Sequence, residues 1–357
     1  GLYLDSVGFQ ASDIGLLTGI LMLTKVLAPN VWGAVADKTQ RRLALIRFGA
    51  AATFISYLGF FFADSFWQYA AMIMLFSVFW NARLPQFEVI TLSNLKSNVS
   101  HYSRIRVWGS IGFIAAVLIL GWVFERFGIS LFPFALLCII IAILASTLCH
   151  FDEPKRPKSE LKKLPSLRAE LLQGNAYLFF VVCMLLQFSH GAYYSYYSLY
   201  LETLGYDKIW IGVLWAIGVV AEVLLFFAMH RWHAKHSVKM IIAVALSLSV
   251  LRWCLIASGS ASISVLLFAQ VLHAFSFGAM HAASIHFVHH HFSHATQGRA
   301  QAMYSSFGFG LGGSLGALCM ALLVDTAGYA NLFWVSAFVA LCALLALIPF
   351  QSKRLED

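Results

Sequence analysis

The chain has 357 residues, of which 60% are hydrophobic and only 11% are charged, and it carries a formal net charge of +8. Soluble domains usually carry about 25% charged residues. Because so few charged side chains cannot cover a globular surface, the composition excludes a soluble protein and indicates that lipid surrounds the chain.

Apolar runs of about 20 residues, the length at which a helix crosses the hydrocarbon core, follow one another along the chain. They lack the strict alternation of barrel strands, so the sequence predicts an all-α membrane protein. Eleven helices are expected, at residues 12–36, 43–63, 66–90, 103–124, 131–150, 176–200, 209–229, 238–257, 264–290, 299–324 and 330–350.

One polar stretch, residues 151–173, divides the chain. It reads FDEPKRPKSELKKLPSLRAELLQ and contains six cations and three prolines. We interpret it as a basic cytoplasmic linker between an N-terminal helical bundle, residues 1–150, and a C-terminal six-helix bundle, residues 174–357. The first bundle has five predicted helices, and residues 1–10 resemble the end of a helix. We therefore expect helix one of a twelve-helix protein to be absent from this chain.

The cations concentrate in alternate connections between the predicted helices. The positive-inside rule places the cation-rich connections in the cytoplasm. The net charge thus reflects membrane topology, no nucleic-acid partner is expected, and contact with anionic lipid is a weaker interpretation. The cation-rich set holds Lys38, Arg41, Arg42, Lys96, Arg104, the linker cations, Arg231, Lys235, Lys239, Arg299, Lys353 and Arg354, whereas the other set holds Arg126 and Lys208.

The two flanks of the linker resemble each other at an offset of 197 residues. Tyr3-Leu4-Asp5-x-x-Gly8 matches Tyr200-Leu201-Glu202-x-x-Gly205. Both segments precede a helix that starts on the same side, so the repeat is parallel and its axis runs along the membrane normal. The sequence therefore predicts two pseudo-symmetric bundles.

The segment GAVADKTQRR, residues 33–42, lies between the first two predicted helices. It resembles the signature of the major facilitator superfamily, and departs from it at Gln40, where a glycine is usual. The resemblance implies a gating role for Asp37, Arg41 and Arg42, since Asp37 can accept hydrogen bonds from helix ends and from cations of a neighbouring helix. The alternative is a simple positive-inside anchor.

Residues 81–88 (NARLPQFE) and 102–112 (YSRIRVWGSIG) form a second pattern. They resemble helices four and five of the lactose permease group of proton symporters. The resemblance implies that Glu88 and Arg106 form a charge pair at the substrate site, where a guanidinium fork suits a carboxylate or a polyol. A structural ion pair at a helix end is the alternative.

Several segments resemble the phenylpropionate permease family, and the resemblance covers most of the chain. It implies a proton-linked importer of an aromatic carboxylate. The matching segments are residues 106–110 (RVWGS), 186–194 (LQFSHGAYY), 218–223 (GVVAEV), 252–253 (RW) and 270–273 (QVLH), together with His281.

Two charged residues lie deep in predicted helices. Glu222 lies 13 residues into its helix, about 20 Å from the outer surface, where an ionised carboxylate costs about 2.5–3.5 kcal/mol. We expect Glu222 to carry the coupling proton, and a buried structural role is the alternative. Arg252 keeps its charge and needs an anion or a carbonyl, so Glu222 and the substrate carboxylate are its candidate partners.

Histidines and tyrosines complete the predicted site. His190, His273 and His281 lie in apolar helices and can relay protons near neutral pH, unless they are neutral structural residues. Tyr193 and Tyr194 can stack on an aromatic substrate, unless they belong to the aromatic belt. Substrate binding is thus predicted for Glu88, Arg106, His190, Tyr193, Tyr194 and Arg252, and proton coupling for Glu222, His273 and His281.

The sequence thus predicts a major facilitator transporter of the inner membrane, a monomer whose partners are a small-molecule substrate, protons and the lipid bilayer. Six cysteines lie singly in apolar runs, and the histidines at 289–291 lack nearby cysteines, so no metal and no cofactor are expected. Enzymatic chemistry is not expected either. Three alternatives remain: a sugar or nucleoside symporter, an efflux transporter, and a membrane sensor that transports nothing.

Overall fold

The computed structural model describes residues 1–39, 41–95, 102–149, 167–258, 262–293 and 296–350. Within these ranges the backbone forms helices joined by short turns. The helices are α1 (Leu2–Ser6), α2 (Ala11–Thr39), α3 (Arg42–Leu58), α4 (Phe66–Trp80), α5 (Arg83–Leu95), α6 (Tyr102–Phe127), α7 (Phe132–Thr147), α8 (Leu167–Leu172), α9 (Ala176–Ser189), α10 (Gly191–Thr203), α11 (Lys208–Lys235), α12 (Val238–Ala257), α13 (Ile263–Val271), α14 (Met280–His291), α15 (Gln297–Tyr304) and α16 (Gly313–Ala346).

Nine helical stretches in the described ranges are long and apolar enough to cross a membrane. The last of them, Gln297–Ala346, is 50 residues long and turns sharply at Gly328, so it contains two spans. Another span consists of α4 and α5 together, each of which is shorter than the hydrocarbon core. The described residues therefore contain the eleven spans predicted from the sequence.

Two spans predicted as continuous helices are interrupted instead. The span at 66–90 breaks between Trp80 and Arg83, because Pro85 lacks the N–H that would continue the helical hydrogen bonds. The span at 176–200 breaks at His190, where the side chains of Ser189 and His190 both bond the carbonyl of Leu186. These side chains replace the backbone as donors.

Two further spans contain π-helical segments that the sequence pattern does not reveal. One segment, Ala274–Ala279, joins α13 to α14, and the other, Ser305–Gly312, joins α15 to α16. A π-helix bonds residue i to i+5 and is rare except at functional sites. The first segment begins directly after His273.

The predicted gating loop begins later than the sequence suggests. Asp37 and Lys38 lie in the last turn of α2, and Arg42 is the first residue of α3. The prediction of a loop from Asp37 onward is wrong, because Asp37 and Lys38 continue the helix and a cation such as Lys38 is favoured in a last helical turn. Gln40 itself lies outside the described residues, and so does most of the predicted linker, residues 151–166.

The repeated turns identified in the sequence have the same geometry. Gly8 ends α1 with a φ of 94° and Gly205 follows α10 with a φ of 87°. In each turn the glycine N–H bonds the carbonyl three residues earlier, at 2.9 and 3.0 Å, and the next N–H bonds the carbonyl five residues earlier, at 3.1 Å. This Schellman pattern requires the left-handed conformation that glycine adopts readily.

The two halves of the chain touch on the side opposite the basic connections, which we call the outer side. Near the outer end of α6, Gly121 packs so closely on α11 that a Cβ there would lie 2.7 Å from the Lys208 carbonyl oxygen. The Glu125 carboxylate accepts a hydrogen bond of 2.9 Å from the Lys208 backbone N–H at the start of α11. On the other flank α2 packs along α16, with Gly19 against Leu318.

Candidate functional site

The candidate site lies in the second half, where the break at His190, the helix α12 and the start of the first π-helical segment meet. Its side chains form two layers, which we name by how deeply they are buried in the bundle and not by the side of the membrane. The inner layer contains His190, Tyr193 and Arg252 and is completely buried or nearly so. The outer layer contains Glu222, His273 and His281.

Arg252 is the central residue of the inner layer, and it is 0% exposed. Its guanidinium carbon lies 4.3 Å from the ring centre of Tyr193 and 4.4 Å from that of Trp253, so it has cation–π contacts to both rings. Its Nε donates to the carbonyl oxygen of Ala269 at 3.1 Å, and Nη1 donates to Ser276 Oγ at 3.2 Å. A carbonyl, a hydroxyl and two rings thus stabilise a charge that the sequence assigned to Glu222 or a substrate carboxylate.

The rest of the inner layer is joined by hydrogen bonds. The hydroxyl of Tyr193 donates to Gln270 Oε1 at 2.9 Å. Nδ1 of His190 lies 2.9 Å from the carbonyl oxygen of Leu186, which can only accept, so Nδ1 carries the proton. In a neutral ring Nε2 is then the acceptor. The Trp253 ring lies edge-on to the His190 ring, with centroids 4.9 Å apart.

Four buried nitrogen atoms of the site have no hydrogen-bond partner among the described residues. They are Arg252 Nη2, Gln270 Nε2, His190 Nε2 and His273 Nδ1. Guanidinium and amide nitrogens can only donate, so at least two of these atoms call for an acceptor. Unpaired buried donors are costly, so a group that supplies acceptor oxygens would stabilise the inner layer, where the hydroxyl of Tyr197, beside the Tyr193 ring, also has no partner among the described residues.

The outer layer holds an ionisable pair. Glu222 Oε2 lies 3.8 Å from His273 Nε2, and the two side chains are 17% and 9% exposed. From His273 the rings of Phe277 and His281 follow along the same helix face, with centroids 5.5 and 6.4 Å apart and planes nearly parallel. Nδ1 of His281 lies 3.1 Å from the hydroxyl oxygen of Tyr304. Proton-accepting groups are thus spaced along one face of the α13–α14 helix.

Tyr194 connects the layers. It is half-buried, and its ring stacks on His190 with centroids 5.8 Å apart and planes 28° from parallel. Tyr193 and Tyr194 lie deeper than an aromatic belt, because Tyr193 is 1% exposed and contacts Arg252. All seven second-half residues predicted for the site are thus brought into one region of the bundle.

The first-half part of the site is less complete. Glu88 lies half-buried on α5. Arg106 lies on α6, but its side chain is outside the described part of the structure. The pairing of Glu88 with Arg106 therefore stays a prediction.

Among the predicted gating residues, Arg42 bonds Gln86 Oε1 and so links the start of α3 to α5. Arg41 is exposed at the N-cap of α3. The Asp37 side chain is outside the described part of the structure, so its gating role stays a prediction.

Sequence reasoning did not assign Gln270, Ser276 or Phe277 to the site. The usable signal is their spacing, since Gln270 and Ser276 lie three residues on either side of His273, and Phe277 lies four residues after it. Residues three or four apart share a helix face. The π-helical segment that follows His273 could not be inferred from that spacing.

A cavity of about 420 Å³ lies near the outer contact of α6 with α11, and its lining residue Trp215 contacts the Tyr193 ring, with centroids 4.5 Å apart. Its walls are almost entirely apolar, and they include Tyr57, Phe60, Phe76, Phe124 and Trp215. Such walls offer few groups that recognise an anion or carry a proton. We therefore place the functional chemistry at the two polar layers.

Comparison with known proteins identifies the family. A family model described as the MFS_1 like family matches residues 1–335. The chain belongs to this family. Its members have the major facilitator fold, and the predicted all-α fold of two helical bundles is thereby confirmed.

Individual relatives are more distant. The chain is 26% identical over 356 residues to a probable 3-phenylpropionic acid transporter of Escherichia coli, covering 96% of this chain and 90% of the relative. It is 23% identical to the nucleoside permease NupG of Escherichia coli, covering 89% of this chain and 80% of the relative. The crystal structure of NupG superimposes with a TM-score of 0.81 at 19% identity, covering 99% of this chain and 94% of NupG. The protein is therefore a multi-pass membrane transporter of the major facilitator type.

Proposed function

We propose that this transporter couples the uptake of a small organic anion, an aromatic carboxylate such as 3-phenylpropionate, to proton entry across the cytoplasmic membrane. The observation that carries the proposal is the inner layer, where the buried Arg252 guanidinium lies between two aromatic rings and donor nitrogens exceed their acceptors. The similarity to a probable 3-phenylpropionic acid transporter supports the same substrate class.

The carboxylate of such a substrate supplies two acceptor oxygens. Arg252 Nη2 and Gln270 Nε2 are donors of the kind that a carboxylate satisfies. In the described conformation Tyr193 covers Arg252, so binding requires that Tyr193 moves or that Arg252 acts through its positive field. The half-buried Tyr194 and Phe277 offer ring faces to the aromatic part of the substrate. Glu88 and Arg106 are proposed to complete the site from the first half.

The proton is assigned to Glu222 and its neighbours. A carboxylate that is partly exposed within a membrane-spanning helix is tolerated when it faces water or a partner. Glu222 lies near His273, and His281 continues the same face, so a proton can be taken up by the carboxylate and shared with the histidines.

Transport requires that the site opens alternately to each side. The contact of α6 with α11, with its hydrogen bond from Lys208 to Glu125, closes the outer side between the two bundles. Closure on one side is one of the two end states that alternating access needs. The second end state requires that this contact separates.

A nucleoside is the second candidate substrate, because the chain is also 23% identical over 339 residues to the nucleoside permease NupG of Escherichia coli. The hydroxyls of a ribose would engage the same polar groups, and the base would stack on the same rings. A nucleoside carries no carboxylate, so it would leave the donor excess around Arg252 less completely satisfied.

The test uses purified protein in vesicles with an acidic outside. We expect accumulation of labelled 3-phenylpropionate, competed by other aryl carboxylates and not by uridine or maltose. Glu222→Gln should abolish accumulation against the gradient while exchange of substrate for substrate persists, because a neutral amide mimics the protonated carboxyl but cannot release a proton.

Glu202→Gln is the matched control. Glu202 pairs with Lys208 at the outer surface at 3.1 Å, and its loss should leave accumulation unchanged. Equal accumulation by wild type and Glu222→Gln would remove Glu222 from the mechanism. Accumulation of uridine alone would replace the carboxylate substrate by a nucleoside.

A further inference from the structure

Two glycines lie against the ionisable pair, one on each helix. Gly278, in the first π-helical segment, faces Glu222 on α11: a Cβ at this position would lie 3.0 Å from Glu222 Cγ. Gly218, on α11, faces the α13–α14 helix: a Cβ there would lie 3.2 Å from Gln270 Oε1 and 3.4 Å from His273 Cδ2. Each helix thus leaves space for the side chain of the other.

The π-helical segment puts these residues in register. In an α-helix, residues five apart point about 140° away from each other, since each residue advances about 100°. In a π-helix the N–H of residue i+5 bonds the carbonyl of residue i, so the two residues lie on nearly the same side of the helix. His273 directly precedes the segment Ala274–Ala279, so the widened turn lets His273 and Gly278 face α11 together. An unbroken α-helix would point one of them elsewhere.

The arrangement also reaches Arg252. Gln270 accepts from the hydroxyl of Tyr193, whose ring covers the Arg252 guanidinium. A side chain at position 218 would therefore push on Gln270 and His273, whereas one at position 278 would push on Glu222 alone within this group. Substitution of Gly218 would therefore perturb the part of this polar network that contains Gln270 and His273, and substitution of Gly278 would perturb the part that contains Glu222.

We propose that Gly278 and Gly218 are positioning residues for proton coupling: together with the π-helical segment they form a slot that sets the distance between Glu222 and His273. The inference rests on the proposed proton-coupled function. It adds that the slot, rather than the two ionisable residues alone, decides whether substrate movement is tied to the proton.

The main test is Gly278→Ala in vesicles, with two measurements on each sample. We expect accumulation driven by the pH gradient to fall about 5-fold, because a displacement of 1 Å can cost about 100-fold and an added methyl group displaces Glu222 by less than that. Exchange of substrate at equal pH on both sides should fall less than about 2-fold, since it needs no proton release. Gly218→Ala should shift the pH dependence of uptake and also raise KM, because it presses on Gln270.

Gly308→Ala is the matched control. Gly308 lies in the second π-helical segment of the same bundle, and its added Cβ would find its nearest neighbour, Cys183 Cβ, at an ordinary 3.7 Å. We expect wild-type accumulation and exchange. A general sensitivity of π-helical glycines would lower both activities in this variant as well, and would overturn the inference.

A double-mutant cycle separates positioning from packing. In a Glu222→Gln background, where only exchange remains to be measured, Gly278→Ala should not lower exchange further, because the group that it displaces no longer releases a proton. If Gly278→Ala instead lowers accumulation and exchange equally in the otherwise wild-type protein, or lowers exchange in the Glu222→Gln background, Gly278 is only a packing residue and the proposal fails.

A measurement without transport keeps this inference separate from the proposed function. Carbodiimides modify protonated carboxyl groups in apolar surroundings, and labelling that disappears in Glu222→Gln reports on Glu222. The pH of half-maximal labelling should shift by about one unit in Gly278→Ala, which corresponds to about 1.4 kcal/mol of changed interaction, and should not shift in Gly308→Ala. An unchanged labelling midpoint in Gly278→Ala overturns the inference that the slot positions Glu222, even if the wild-type protein transports substrate. Absent transport by the wild-type protein overturns only the proposed function.

Discussion

Arg252→Lys provides the sharpest test of the inner layer, because it keeps the positive charge and removes the planar guanidinium. The guanidinium has ring contacts at 4.3 and 4.4 Å and two hydrogen bonds, to Ala269 and Ser276. A desolvated cation–π contact contributes about 2 kcal/mol, of which we take about half to be lost at each ring because the ammonium is still a cation, and one lost charged hydrogen bond costs about 1.5 kcal/mol. We expect a loss of about 3 kcal/mol, reduced where the ammonium recovers one of these contacts.

The assay is thermal unfolding in detergent, read by intrinsic tryptophan fluorescence, to which the ten tryptophans of the chain contribute, and by light scattering. A loss of about 3 kcal/mol should lower the melting temperature by about 4 °C in a chain of this size. Arg47→Lys is the matched control: Arg47 is half-buried and its Nε donates to the Thr147 carbonyl at 3.0 Å. Its replacement should lower the melting temperature by no more than about 2 °C.

The outcome that refutes this reasoning is a melting temperature for Arg252→Lys equal to that of wild type, or equal to that of Arg47→Lys. It would mean that the ring and carbonyl contacts contribute little and that the charge alone is tolerated at this depth. Uptake kinetics add a second readout. If Arg252 Nη2 contacts the substrate carboxylate, KM should rise in Arg252→Lys by more than the fall in folded protein explains.

Tyr193→Phe removes the hydroxyl that donates to Gln270 but keeps the ring contact to the guanidinium. It should lower the free energy of unfolding by about 1 kcal/mol, measured by thermal unfolding. A fall in melting temperature as large as that of Tyr193→Ala would contradict this. Glu125→Ala removes the acceptor for the Lys208 N–H at the outer contact of the bundles, a hydrogen bond worth about 1 kcal/mol. Spin labels on the outer ends of α6 and α11 should therefore be found apart about 5-fold more often in distance measurements by electron paramagnetic resonance. An unchanged distance distribution would show that the glycine contact alone keeps the two helices together. Glu170→Ala removes from α8 the acceptor of three hydrogen bonds from the turn between α14 and α15. The rate of proteolysis at that turn should therefore rise. Unchanged cleavage kinetics would show that α8 does not hold the turn in place.

The eleven spans and the membrane topology follow from local information. Runs of apolar residues near the length of the hydrocarbon core predict helices whatever their neighbours are, because an unsatisfied backbone in lipid is too costly. The repeat of Tyr-Leu-acid-x-x-Gly also carries its own geometry, since only a residue such as Gly8 or Gly205 adopts the left-handed turn readily. The second-half candidate residues could be singled out from the sequence because charged and titratable side chains are rare in such helices.

The partners of those residues were decided by packing. The sequence called for an anion or a carbonyl beside Arg252, with Glu222 and a substrate carboxylate as candidates, and the fold supplies the carbonyl of Ala269 together with Ser276, Tyr193 and Trp253. Backbone carbonyls and ring faces leave no distinct mark in a sequence, so such a partner can be seen only when helices are in contact.

The amino-acid sequence by itself determined that the chain lies in a membrane as helices, which of its sides is basic, and which few polar side chains have to be accommodated in apolar helices. Tertiary structure alone decided where those helices break or widen, at His190 and at Ala274–Ala279, and therefore which face each polar side chain presents. The physical reason is that hydropathy acts on each residue separately, whereas a hydrogen bond, a ring contact or the space left by a glycine exists only between two helices held side by side.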